Sequence, residues 1–149
     1  MIAKKFEDLI FWQRARELTK LIYSYTKNGS FHKDFGLKDQ IRRAAVSTMA
    51  NIAEGFGRGG NREFAQFLFI AKGSLTEAQS HLCVALDQEY IDEKKFKAAS
   101  DKADEVIRLM NAFLMSIENG NKGFKNSSKV QHGLGSSKKP RTMNSELDM

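Results

Sequence analysis

The strongest constraint on the fold of this 149-residue chain is the absence of proline before Pro140. Proline disrupts a helix interior at a cost of about 3 kcal/mol. Residues 1–139 contain none and are therefore free to form long helices. In four segments, apolar residues recur every three or four positions, which is typical of amphipathic helices. Because no segment shows the two-residue alternation of a β-strand, the sequence predicts an all-α protein.

The four predicted helices span residues 7–27, 36–57, 61–87 and 93–118. Each is long, and the connections between them are short. Helices joined in this way pack as antiparallel neighbours, because a short loop cannot return the chain along the length of a bundle. The expected fold is therefore an antiparallel up-down four-helix bundle.

Local residue types predict where these helices begin and end. The Asn-Gly-Ser sequence at 28–30 is expected to end the first helix, and Asn-Gly at 119–120 to end the fourth. Asn61 and Asp92 are expected to cap the starts of the third and fourth helices, with Glu63 placed favourably in the first turn of the third.

The third predicted helix carries the longest apolar stripe. Phe64, Phe67 and Phe69 fit this stripe better than they fit a base-stacking platform. The single cysteine, Cys83, lies in the same segment, where a small buried thiol is the expected environment.

Residues 121–149 differ in composition from the rest of the chain. They are rich in Gly, Ser, Asn and Lys and show no apolar period, so we expect a disordered tail that follows a bundle domain of residues 1–120. Charge is also uneven. Residues 1–120 contain 18 basic and 16 acidic residues, for a net charge of +2, whereas the tail contains 6 basic and 2 acidic residues, for +4.

Several functional classes find no support in the sequence. No apolar stretch approaches the roughly 20 residues needed to cross a bilayer, and no signal-peptide pattern occurs, so we expect a soluble, cytoplasmic protein with no membrane partner. His32, His81 and His132 lack metal-ligand spacing, and no nucleophile with a base stands out. We therefore expect no enzyme activity, no catalytic residues, no metal and no cofactor.

The second predicted helix contains a continuous polar stripe. Its members follow one another at steps of three or four residues and so share one helix face; they are Arg43, Ser47, Asn51, Glu54 and Arg58. Two interpretations are open. In the structural one, these groups bond to one another and across a helix or subunit seam, with Glu54 and Arg58 as an ion pair. In the functional one, Arg43 and Arg58 bind a ligand or nucleic acid.

Cations next to flexible backbone are candidate nucleic-acid contacts. Arg58 and Arg62 flank the glycine-rich turn before the third helix, where helix-terminal N–H groups favour anions. That turn lacks the order of a phosphate-binding loop and follows no strand, so an interhelical turn is the preferred interpretation. The other candidate contacts are the tail cations Lys122, Lys125, Lys129, Lys138, Lys139 and Arg141.

The chain resembles a bacterial family of four-helix bundle proteins encoded within intervening sequences of 23S ribosomal RNA genes. The resemblance covers Phe6 to Gly120 and lies in three blocks, FEDLIFWQRARELTKLIY, FGLKDQIRRAAVSTMANIAEGFGR and FAQFLFIAKGSLTEAQSHL. It departs from the family before the second predicted helix, where His32 and Lys33 replace the usual proline and acid.

The resemblance implies a homo-oligomeric ring, by analogy a homopentamer. The family is also similar to the accessory protein of diversity-generating retroelements, a basic pentameric barrel that binds nucleic acid and a reverse transcriptase, so a nucleic-acid enzyme is a further implied partner. Our leading hypothesis is an oligomeric scaffold that binds RNA or other nucleic acid. The alternative is a protein-interaction module in which the polar stripe serves only ring assembly.

Overall fold

A computed structural model describes residues 2–129 of the chain, and the side chains of residues 2–120. Over these residues the protein contains helices and turns and no strand, which confirms the all-α prediction. A 3₁₀ turn at Phe6–Asp8 precedes five α-helices: α1 (Ile10–Tyr25), α2 (Gly29–Lys33), α3 (Phe35–Gly57), α4 (Asn61–Asp87) and α5 (Glu93–Lys129).

The start of the chain differs from the sequence prediction. The first helix begins at Ile10 rather than at Glu7, because Asp8 accepts backbone hydrogen bonds from the N–H groups of Lys4 and Lys5 and holds a separate turn. The first helix ends at Tyr25, and Gly29 and Ser30 of the predicted stop already belong to the short helix α2, which the sequence analysis missed. A helix of five residues is too short to show an apolar period.

The later boundaries are partly as predicted. Asp92 caps α5, since its carboxylate accepts a 2.8 Å hydrogen bond from the Lys95 N–H. Glu63 lies in the first turn of α4, but the predicted Asn61 cap is wrong, because Gly60 occupies the cap position and Asn61 is already helical.

The predicted end of the fourth long helix is also wrong. Helix α5 continues through Asn119 and Gly120 to Lys129. A single glycine costs a helix only about 1 kcal/mol, and proline, which costs more, does not occur until Pro140. Of the tail predicted to be disordered, residues 121–129 are helical as part of α5, and residues 130–149 lie outside the described residues.

The chain divides into two compact units, Met1–Ile117 and Glu118–Met149. The four long helices share one hydrophobic core within the first unit. Its most deeply buried members come from each of them in turn: Ala15, Leu18 and Ile22 of α1; Ile41, Ala45 and Ile52 of α3; Leu68, Leu75 and Leu82 of α4; Ala99, Val106 and Met110 of α5. The short helix α2 adds Phe31. Each of the four predicted helices therefore buries one side, as its apolar period predicts.

Neighbouring long helices run in opposite directions. Between α3 and α4, the Oγ atoms of Ser47 and Ser74 are 3.0 Å apart, and Gly55 packs against Phe67. Later residues of α3 thus contact earlier residues of α4, so the two helices run in opposite directions. Hydrogen-bonded pairs show the same opposite order for three further pairs of helices. Helices α1 and α3 are joined by Thr19–Met49 and Thr26–Arg42, and helices α4 and α5 by Lys72–Asn111 and Gln79–Asp104. Helices α1 and α5 are joined by Arg14–Glu105 and Glu17–Lys102.

An ion-pair network joins the surfaces of α1 and α5. Lys102 donates a 2.8 Å hydrogen bond to Glu17, and Arg14 donates to both Glu17 and Glu105 at 3.0 and 2.9 Å. The hydrogen bond from Lys102 lowers the pKa of the Glu17 carboxyl. Because these groups are solvent-accessible, the network adds little to stability.

Two side chains expected in the core lie at the surface. Phe69 is 61% exposed, and Cys83 is exposed as well. Both are on the outer side of α4, because the buried positions of that helix include Leu68 and Leu82, and a neighbouring residue is rotated by about 100°. The apolar period of α4 is real, but its apolar residues extend beyond the buried stripe.

The closest helix approach generates a stability prediction. A Cβ atom added at Gly55 would lie 2.5 Å from the Cβ of Phe67 and 3.1 Å from a ring carbon of Phe64. Gly55→Ala should therefore force α3 and α4 apart and lower the free energy of unfolding by about 1 to 3 kcal/mol, as overpacking does. Urea unfolding at one fixed protein concentration measures this loss.

Gly73→Ala is the matched control. Gly73 also lies inside a helix, but nothing is within 4 Å of an added Cβ there. This substitution should stabilise the protein by about 0.5 to 1 kcal/mol through the higher helix propensity of alanine. Equal effects at the two positions would contradict a tight contact at Gly55.

Candidate functional site

The polar stripe of the sequence analysis lies along the part of α3 that borders α4. At its first position, Arg43 donates a 2.8 Å hydrogen bond to Asp39 one turn earlier. Both side chains are largely exposed, so this ion pair is a surface feature. No hydrogen bond or ion pair joins Arg43 to another stripe residue.

The centre of the stripe is a small hydrogen-bonded cluster, which we call the serine cluster: Ser47, Asn51 and Ser74. The Oγ atoms of Ser47 and Ser74 lie 3.0 Å apart across the α3–α4 seam. Asn51 donates from Nδ2 to the Ser47 carbonyl at 2.8 Å and to its Oγ at 3.1 Å. Ser47 thus bonds across the seam as predicted, whereas Asn51 bonds within its own helix.

The last two stripe residues form the predicted ion pair. Arg58 donates to Glu54 with an Nη2 to Oε1 distance of 3.0 Å. The same guanidinium lies over the ring of Phe67, 5.3 Å from its centroid. Arg58 is therefore held by a carboxylate and an aromatic ring at once, which leaves fewer of its donors for a phosphate.

The stripe is thus three local groups rather than one network. Within the part of the chain whose side chains are described, no buried side-chain nitrogen or oxygen lacks a hydrogen-bond partner. The serine cluster therefore needs no ligand to satisfy it. Its role in assembly, and the nucleic-acid role of Arg43 and Arg58, stay predictions.

The turn between α3 and α4 does not form a phosphate cradle. Gly59, Gly60 and Asn61 border a cavity of about 700 Å³ whose other walls are largely apolar, among them Phe11 and Phe64. Such walls offer no donors to an anion. Arg62 is exposed and forms no ion pair with a residue whose side chain is described, so it is the freer cation of the two at this turn.

The other predicted nucleic-acid contacts are outside the described side chains. They are Lys122, Lys125, Lys129, Lys138, Lys139 and Arg141. Their contribution rests on charge and sequence position alone.

Two further findings concern metal sites and membrane spans among the described residues. Among them, no group of three or more His, Cys, Asp and Glu side chains is arranged to hold a metal ion. None of the helices they form is both long enough and apolar enough to cross a membrane.

Sequence reasoning missed two exposed aromatic rings that lie against cations. Lys38 Nζ is 4.7 Å from the ring centroid of Phe35, and the Arg42 guanidinium carbon is 4.4 Å from that of Tyr23. Phe35 stands outside any apolar period, and Tyr23 lies next to the buried Ile22, so periodicity gave neither ring a role. The four-residue spacing of Lys38 and Arg42 was the available signal.

The serine cluster leads to a testable difference between two surface substitutions. Asn51→Leu removes both hydrogen bonds to Ser47 and should lower the free energy of unfolding by about 1 kcal/mol or weaken assembly. Lys97→Leu alters only a largely exposed lysine on α5 that pairs with Asp101, so its effect should stay within about 0.5 kcal/mol. Denaturant unfolding and light scattering measure the two quantities. Indistinguishable variants would show that the cluster is inert.

A solved structure and a protein family match this chain. A crystal structure from Bacteroides thetaiotaomicron, described as a protein with unknown function from the S23 ribosomal protein family, matches with a TM-score of 0.65 and 23% sequence identity over 70% of this chain and 98% of that chain. At this identity the likeness is one of fold. No curated protein matches the sequence. The family model described as 23S rRNA-intervening sequence protein matches residues 7–112. Since this match spans more than half of the chain, the chain belongs to the 23S rRNA-intervening sequence protein family.

Proposed function

We propose that this protein is an oligomeric, non-enzymatic scaffold that binds RNA or another nucleic acid. In this proposal, α1, α3, α4 and α5 form an antiparallel four-helix bundle, and copies of it assemble through the α3–α4 surface. The observation that carries the proposal is an exposed apolar patch on α4 that adjoins the serine cluster.

The apolar patch of α4 consists of the neighbouring residues Phe69 and Ile70. Their side chains are 61% and 53% exposed. Residues 64–86 contain only one lysine and one glutamate, so α4 itself contributes little charge near the patch. Large apolar side chains left exposed next to one another are typical of interaction sites, and burial of one of them is worth about 1.5 to 3 kcal/mol.

A second copy of the chain is the proposed occupant. Ile70 lies one turn before Ser74, so the patch and the serine cluster are adjacent on the α3–α4 surface. Subunit interfaces commonly have an apolar centre beside polar groups that already have hydrogen-bond partners, and this surface has the same combination. By analogy with the family resemblance, the proposed assembly is a ring of five copies.

The nucleic-acid part of the proposal rests on charge. The chain has a net charge of +6 and a sequence pI near 9.5, and its basic excess is largest after residue 120. Lysine and arginine attract the phosphate backbone without regard to sequence. The family's description, which refers to an intervening sequence of 23S rRNA, makes RNA the first nucleic acid to test.

The assembly is tested by introducing a charge into the patch. The wild-type protein should scatter light as an oligomer at tens of micromolar, and Ile70→Asp should shift it towards the monomer because a carboxylate would be desolvated in the interface. Met115→Asp is the control, since Met115 on α5 is also 61% exposed but lies outside the patch.

A monomeric wild-type protein would remove the ring model. Dissociation by Met115→Asp, with Ile70→Asp still assembled, would move the interface away from the α3–α4 surface.

Nucleic-acid binding is tested by fluorescence anisotropy with a structured RNA at several salt concentrations. Binding through phosphates should make log affinity fall linearly with log salt. Deletion of residues 121–149 removes six Lys and Arg residues, so the slope should decrease by at most about 5, at roughly 0.9 per cation for a B-form duplex and somewhat less for single strands. Arg58→Ala and Arg62→Ala should each remove at most about one unit of slope.

The outcomes separate the competing functions. Absence of binding at low salt, with the oligomer intact, would favour the protein-interaction module. An unchanged slope after tail deletion would exclude the tail and leave the bundle surface as the binding site. Oligomeric state has to be checked for Arg58→Ala, because this variant also loses the Glu54 ion pair.

A further inference from the structure

Two exposed aromatic rings and two cations form a surface where α1 meets α3, which we call the aromatic corner: Tyr23, Phe35, Lys38 and Arg42. Phe35 is 69% exposed even with Lys38 above it, and Tyr23 is 41% exposed with Arg42 above it. Each cation lies over one side of its ring. The exposure that remains leaves room for a planar group to stack on each ring.

The aromatic corner is held in place by its surroundings. Arg42 donates a 2.8 Å hydrogen bond from Nε to the Thr26 hydroxyl, which is fully buried at the end of α1. Lys38 lies one turn earlier on α3, so both cations face α1. This arrangement fixes Arg42 without neutralising it, because a hydroxyl carries no charge.

Phe35 is positioned by the junction that precedes it. The Asp34 carboxylate accepts hydrogen bonds from the Leu37 N–H at 3.1 Å and from the Tyr90 hydroxyl at 2.9 Å. The second bond raises the pKa of Tyr90. Tyr90 also stacks on the buried ring of Phe31 in α2, with centroids 5.3 Å apart. These contacts fix the backbone that carries Phe35, whose ring meets that of His32 edge to face with centroids 6.5 Å apart.

Charge at this corner favours an anionic ligand. Residues 20–42 contain five Lys and Arg residues and two acids. Both acids are already engaged, Asp34 as described above and Asp39 with Arg43 at 2.8 Å. Neither carboxylate forms an ion pair with Lys38 or Arg42.

We propose that the aromatic corner binds single-stranded nucleic acid. Unpaired bases stack on the open sides of Phe35 and Tyr23, and Lys38 and Arg42 contact the adjacent phosphates. Exposed rings interleaved with cations are the general means of binding single strands, because every base has a π face. A duplex keeps its bases stacked inside and cannot use the rings. The proposal rests on the nucleic-acid binding proposed above and places a site where the sequence analysis had none.

The test uses the full-length protein and a fluorescent oligouridylate of about 12 nucleotides, a length within the usual single-strand site range. Phe35→Leu and Tyr23→Leu keep an apolar side chain but remove the ring, so each should weaken binding by at least about fivefold at every salt concentration. Phe35→Tyr keeps the ring and should stay within about twofold. Lys38→Gln should instead reduce the salt slope by about 0.7.

An abasic oligomer of equal length isolates the stacking. It has the same phosphates but no bases, so wild type should bind it more weakly than the oligouridylate, and Phe35→Leu should bind it as wild type does. Circular dichroism and light scattering confirm that each variant is folded and assembled. If Phe35→Leu weakens the abasic and normal strands equally, the stacking proposal is overturned.

The remaining outcomes distinguish this proposal from the proposed function. Wild type that binds neither the oligouridylate nor the structured RNA at low salt overturns both. Wild type that binds RNA while both leucine variants match it overturns only the aromatic corner. Leucine variants that lose binding to phosphatidylserine vesicles but keep full affinity for the oligouridylate would assign the corner to an anionic membrane surface and overturn it as well.

Discussion

The close approach of α3 and α4 at Gly55 fixes the arrangement on which the candidate surfaces depend. Because Gly55 has no side chain, Phe67 packs directly against the α3 backbone, and this contact sets the register of the two helices. In that register Ser47 meets Ser74, and Arg58 covers the ring of Phe67. A bulkier residue at position 55 would separate the helices where they are closest and move all of these contacts together.

Asp34 has a comparable role at the opposite end of these helices. One of its oxygens caps α3 and the other accepts the Tyr90 hydroxyl, so a single carboxylate connects the start of α3 to the turn between α4 and α5. Glu89 in that turn has a positive φ of 59°, a conformation that reverses the chain sharply and presents Tyr90 to Asp34. The aromatic corner depends on this connection, because Phe35 directly follows Asp34 in the sequence.

Sequence periodicity was enough to identify the four long helices and their buried sides, because the apolar residues of a buried helix face recur with the helical period. It failed where another effect decides the structure. Helix α2 is shorter than an apolar period, and α5 passes Gly120 because a single glycine is a weak stop. Phe69 was assigned to the core because composition does not reveal how wide the buried stripe is. The intrahelical pairs of the polar stripe followed from spacing, whereas Ser74 became its partner only through the helix register.

In the two proposals, assembly and nucleic-acid contact use different sides of α3. Ser47 bonds to α4 and Arg42 bonds to α1, so the serine cluster and the aromatic corner lie on different sides of the same helix. If copies assemble through the α4 patch as proposed, each brings an aromatic corner that the interface does not cover. Several corners in one assembly raise the effective concentration for every further contact along a strand. If both proposals hold, weak stacking at each corner adds up to tight binding of a long RNA, which a single copy with two exposed rings would not achieve.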